Sequence, residues 1–211
     1  MRGIPPWILT LPLILFWDSA LVAPLKLLVV TAHEAGHSLA ALATGGEVID
    51  LLVSLHASGH ATFRGGNQII VLNAGYVASI LAAVALLWLA KDPLGSRVGG
   101  VLFGLYLIFA GFNWFEPASA AYLGLLAVGS FIAFLIPFAR TEVAENVLQT
   151  VGVFSAIYAV NDLVIDLFLA QSPSSDAAQL ARLTELPALV WGGLWAALAF
   201  AVLYGMRRFL T

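Results

Sequence analysis

Five consecutive residues, His33-Glu34-Ala35-Gly36-His37, place two imidazoles and a carboxylate in the pattern H-E-x-x-H. On a helix, residues four apart lie ~40° apart around the axis and ~6 Å apart along it. Both imidazoles can then reach one zinc ion at ~2.0–2.1 Å. Glu34, turned ~100° from His33, addresses a water on the metal rather than the metal. Zinc lowers the pKa of such a water toward ~7, and Glu34 would serve as general base of peptide-bond hydrolysis, passing the proton to the leaving amine. The competing reading is a polar pair that ties neighbouring helices together by hydrogen bonds.

A catalytic zinc site needs a third protein ligand and an open position. The chain has no cysteine, so that ligand must be His, Asp or Glu. His56 and His60 are four apart, but Gly59 and a strand-like pattern argue against a helix there and favour a solvated hairpin. Asp162 and Asp166 lie one helical turn apart on one face of an apolar stretch. Either can supply an oxygen ligand, and the other can orient a ligand or the water from behind; the alternative is that both pair with an arginine such as Arg182. Asn73, a lone amide among small and apolar residues, could contact substrate backbone or a developing oxyanion, or join two helices.

These residues sit in an unusual medium. Of 211 residues, 61% are hydrophobic and 10% charged, against ~45–50% and ~25% in an ordinary soluble domain. The net charge of −3 suggests no nucleic-acid partner. Long apolar runs carry the excess, and a run of about 20 residues crosses a hydrocarbon core as helix. The sequence predicts such runs at Pro6–Val22, Leu25–Thr44, Gln68–Ala90, Val98–Phe115, Ala118–Ala139, Asn146–Ala170 and Leu186–Met206. That is an all-α polytopic membrane protein of six or seven transmembrane helices in a single domain, 1–211. Arg140, Glu142 and Glu145 read as a polar connection, and Ala177–Glu185 as a short polar helix. The start of the chain has the outline of a secretory signal, but the next apolar run follows at once and favours two adjoining membrane segments. Basic residues place the C-terminus in the cytoplasm.

The elements around the chemistry follow from punctuation. Pro24 can occupy the first turn of the zinc helix (25–44), and Gly45-Gly46 end it. Val48–Leu55 and His60–Arg64 read as two strands of a small β-hairpin (47–66), with Ala57-Ser58-Gly59 turning the chain. Gly75, Ala78, Ser79 and Ala82 form a small-residue face suited to close helix packing. An ionisable residue at the centre of a membrane helix costs ~2.5–3.5 kcal/mol on insertion scales. The chain concentrates that cost in the zinc helix and in the late aspartate helix (146–170), which implies that the two meet.

His33–His37, followed by Ala40-Ala41-Leu42-Ala43-Thr44-Gly45-Gly46, resembles the site-2 protease superfamily of intramembrane zinc metalloproteases. The likeness is to its small branch, with a Thr-Gly-Gly turn after the zinc helix, a Gly-containing hairpin and an Ala-Gly-Tyr helix, here Ala74-Gly75-Tyr76-Val77-Ala78-Ser79. An aspartate pair in a late helix and Ser175-Asp176-Ala177 complete it. The resemblance covers about residues 25–90 and 155–200. It implies His33 and His37 as zinc ligands, Glu34 as base, and Asp162, which matches the first aspartate of the pair, as third ligand. The Asp-Gly ligand signature of the larger branch has no clear counterpart.

The expected function is zinc-dependent hydrolysis of a peptide bond in or near a transmembrane segment of a membrane protein, of the kind used in regulated intramembrane proteolysis. An exposed hairpin edge would bind the unwound substrate as an added strand. The alternatives are an inactive membrane binding protein of the same fold and a metal transporter. The expected partners are a transmembrane protein substrate and the lipid bilayer, in a prokaryotic cell membrane. With no sensor domain visible, selection falls to the membrane core, the loops or an accessory membrane partner.

Overall fold

The histidine helix is set by local signals at both ends. The computed structural model describes residues 6–17, 19–20, 22–54, 58–170 and 172–206. A short helix, α1 (Pro6–Leu15), precedes α2 (Ala23–Ala43), which takes Pro24 in its first turn. Its C-terminus closes as the glycines require. Gly45 takes φ +85, its N–H donates to Leu42 O, and the Gly46 N–H donates to Ala41 O at 2.8 Å. Both bonds satisfy carbonyls that the helix end would otherwise orphan.

The chain then forms the expected hairpin. β1 (Glu47–Val53) pairs antiparallel with β2 (Gly59–Arg64), with Leu51 opposite Ala61 and a bulge between Val48 and Asp50. The expected turn and His56 lie partly or wholly outside the described residues. Gly65 and Gly66 both take positive φ and return the chain to α3 (Gln68–Leu89). Asn67 caps α3 by accepting the N–H groups of Ile69 and Ile70, while its own N–H donates to Thr44 Oγ1 at 2.9 Å. The end of α2 and the start of α3 are thereby pinned across the base of the hairpin. Between them the small-residue face packs as expected. A Cβ on Gly36 would stand 2.5 Å from Ala74 O, and Ser79 Oγ donates to Val29 O.

The remaining elements are α4 (Pro93–Trp114), α5 (Ala120–Leu135) with a 3₁₀ turn at Ile136–Phe138, and α6 (Thr141–Val164) with a wider π-type turn at Ile165–Ala170. Then come α7 (Asp176–Thr184) and α8 (Ala188–Met206). α6 runs through the centre. Its Phe154 and Tyr158 pack with Leu27, Val30, Phe103 and Leu107 in one core cluster. A second cluster joins Leu72 and Tyr76 of α3, Leu163 of α6, Ala177 and Leu180 of α7, and Trp195 of α8.

Among the described residues, four helices are long and apolar enough to cross a membrane: Gln68–Leu89, Pro93–Trp114, Ala120–Phe138 and Thr141–Phe168. The other three expected runs fall outside this set. Pro6–Val22 yields only a ten-residue helix, with Pro12 inside it. α2 has the length, but His33, Glu34, His37 and Lys26 dilute its apolarity. The last helix, α8, runs Ala188–Met206 and is apolar throughout. The presumed polar connection is in fact the first turns of α6, where Glu142 complements the helix dipole. Phe131, Phe134 and Phe138 point outward, 67%, 70% and 78% exposed, as suits a lipid-facing wall.

α7 is held by few contacts, so its docking is easily tested. Leu180 is its fully buried anchor. Leu180→Ala should cost about 2–5 kcal/mol, read as a lowered unfolding temperature in detergent and faster proteolysis between residues 172 and 175. Unchanged values on both counts would show that α7 is not held by this contact.

Candidate metal centre

His33 and His37 follow one another by a helical turn on α2, and their rings meet at 4.7 Å between centroids. Each is oriented from α3. His37 Nδ1 lies 2.8 Å from the Val71 carbonyl oxygen. Its N–H donates there, which fixes the ring with Nε2 facing Asp176, the way an outer hydrogen bond orients metal-bound histidines. Gly75 makes the space in front: a Cβ there would stand 2.6 Å from Nε2 of both histidines. No residue with a side chain fits that position without displacing them.

The third group comes from α7. Asp176 Oδ2 lies 3.0 Å from His33 Nε2 and 3.2 Å from His37 Nε2. Ligands bound at ~2.0–2.1 Å in a tetrahedral zinc site stand about 3.3 Å from one another, close to the distance of Asp176 Oδ2 from each imidazole nitrogen. Among the described residues, His33, His37 and Asp176 are the group whose donor atoms converge for a metal, within 4.8 Å of one another. Their side chains are 14%, 7% and 11% exposed. Burial alone would raise the Asp176 carboxyl, but hydrogen bonds from His33 and His37 outweigh it and hold the group down to about 2. Asp176 is therefore an anion ready to ligate.

Glu34 faces a different neighbour. A Cβ on Gly59 would stand 2.8 Å from Glu34 Cγ, so β2 rests directly on this side chain, with the Ala61 backbone against its carboxylate. A cavity of about 560 Å³ opens beside it, lined by the histidines, Glu34, Asp176, residues 58–63 along β2, and Asp162 and Asp166.

The other expected residues fall into place around this centre. Asp162 lines the cavity but is outside the converging group. Asp166 accepts a hydrogen bond from the Tyr76 hydroxyl at 2.6 Å. Arg182 pairs with neither aspartate and donates to Pro173 O. Asn73 spends its amide on helix packing: Nδ2 donates to Ile69 O, and Oδ1 accepts from Trp195 Nε1. His60 lies on β2 at the cavity edge, and His56 is outside the described residues. Sequence reasoning did not single out Asp176 because the residue has a sufficient local role. Ser175 caps α7 through Ala178 N–H, and Asp176 is the acid of its first turn. The available signal was the Ser-Asp-Ala segment itself.

Comparison with curated proteins yields no significant match, and comparison with solved structures yields none. The family model described as Peptidase M50B-like matches residues 7–206, nearly the whole chain and all elements of the centre. The chain therefore belongs to the Peptidase M50B-like family, membrane-embedded metalloproteases of the site-2 protease type.

Proposed function

We propose that this protein is a zinc-dependent intramembrane endopeptidase that cleaves a peptide bond in or near a transmembrane segment of another membrane protein. The observation that carries this reading is the convergence of His33, His37 and Asp176 beside Glu34. The donor set suits zinc: two imidazoles, one carboxylate and an open side toward the cavity. His33, His37 and Asp176 hold the ion, with Asp176 in place of the Asp162 expected from the resemblance. Bound zinc supplies Lewis acidity and an acidified water. Glu34 accepts the proton and delivers it to the leaving amine. Asp162 shapes the cavity wall without ligating. An inert binding protein or a metal transporter would leave Glu34, poised between the donors and β2, without a task.

The hairpin supplies the substrate's binding edge. The Leu51 carbonyl accepts from Trp114 Nε1 at 3.1 Å, so β1 turns that group away from β2 and α4 covers its edge. In an antiparallel pair, opposite residues turn their polar groups in or out together. Ala61, opposite Leu51, thus turns its N–H toward the Glu34 carboxylate and presents its C=O on the free edge of β2. A substrate unwound into a strand and added there would run past the metal centre. The substrate, the lipid bilayer and any accessory membrane partner meet at this cavity.

Three outcomes follow. Asp176→Asn should lower bound zinc at least tenfold, and Asp162→Asn should leave zinc content near that of the wild type; the reverse order would restore Asp162 as ligand. Glu34→Gln should retain zinc and lose cleavage of a panel of transmembrane-peptide substrates by 100-fold or more, in the range of a lost general base (roughly 10²–10⁴). Equal cleavage by both proteins would remove Glu34 from the reaction. Ala61→Pro takes away the outward N–H that meets Glu34 without removing a β1–β2 bond; cleavage should fall with zinc retained, and intact cleavage would mean that neither this contact nor the strand edge at Ala61 takes part.

A further inference from the structure

The two histidines are supported unequally. His37 donates to the Val71 carbonyl, a backbone acceptor that no substitution can remove. His33 has no such partner: its Nδ1 is buried and, among the described residues, makes no hydrogen bond. A metal-bound imidazole without an outer acceptor must be oriented by packing. The packing residue is Tyr76, whose ring meets that of His33 at right angles, 4.7 Å between centroids. Tyr76 is itself held on two sides. Its hydroxyl donates to Asp166 Oδ2 at 2.6 Å, and its ring is stacked on Trp195 at 4.6 Å. Trp195 is tied in turn to Asn73.

We propose that Tyr76 and Asp166 form a positioning pair that sets the His33 ring for metal binding, replacing the missing hydrogen bond of that histidine. The proposal rests on the metal-centre reading given above and adds two residues to it. Asp166 lies in the π-type turn at the end of α6 and also lines the cavity. Occupancy of the cavity wall is thereby connected to the ligand geometry through a single tyrosine.

The test uses detergent-purified full-length protein, with zinc affinity measured by chelator competition and the visible absorption spectrum recorded after cobalt substitution. Loss of an outer-shell partner typically costs about 10–100-fold in metal affinity. Tyr76→Leu, which removes the ring, should fall in that range and shift the cobalt bands. Tyr76→Phe keeps the ring and loses the tether, and should weaken zinc by a smaller factor, about threefold to tenfold. Asp166→Ala should match Tyr76→Phe, the double variant should add nothing further, and Asp166→Asn, which keeps an acceptor, should recover wild-type binding. Thermal unfolding reports whether each variant folds; if Tyr76→Leu does not, Tyr76→Phe and Asp166→Ala still decide. Wild-type affinity and an unshifted spectrum in the folded single variants would overturn the pair, as would additive losses in the double variant. If the wild type holds no metal that His37→Ala removes, the metal centre itself fails and the pair falls with it.

Discussion

One carboxylate oxygen lies 3.0 and 3.2 Å from two imidazole nitrogens in the interior of a largely apolar helical molecule. Burying such groups is costly unless each finds a partner. The rest of the structure can be understood as the means by which that convergence is held. Gly75 leaves room for both nitrogens, Val71 orients one ring, and α7 brings the compensating anion.

The histidine helix, the hairpin and α3 behave as a single unit. The Thr44-Gly45-Gly46 turn and the Gly65-Gly66-Asn67 turn are hydrogen-bonded to one another at the hairpin base, and Gly36 allows the two helices to touch. This unit carries the base and both histidines on short local connections. It also lays β2 across Glu34, so the base and the strand edge share one position. The third donor is added from outside the unit by α7, whose apolar face docks through Ala177 and Leu180 against Leu72, Tyr76 and Trp195. The tightest part of the centre thus comes from neighbouring residues, and its completion depends on packing between distant ones.

Much of this was legible from residue order because it is local. A four-residue spacing on a helix fixes the approach of His33 and His37 whatever surrounds them. Glycine pairs specify where α2 stops and where β2 turns back, since positive φ is cheap only there. The small-residue face of α3 was likewise readable as a close-packing surface. The apolar runs were readable as helices, though α2 is less clearly marked as a membrane span because His33, Glu34 and His37 dilute its apolarity. Asn73 was ambiguous for the same kind of reason: an amide can face a cavity or a neighbouring helix, and only the position of Trp195 decides between them.

The sequence by itself determined the pair of histidines, the carboxylate between them, the hairpin behind them and the predominantly helical, apolar setting. Each of these follows from spacing, composition or backbone preference within a few residues. Only the tertiary structure brings Asp176 to both histidines, sets the Tyr76 hydroxyl on Asp166 and leaves Asp162 on the cavity wall. His33 and Asp176 are separated by more than 140 residues along the chain, and no local preference distinguishes one acid from another at that range. Their meeting is set by how α7 packs, a sum of contacts from α3, α6 and α8 that no single segment encodes.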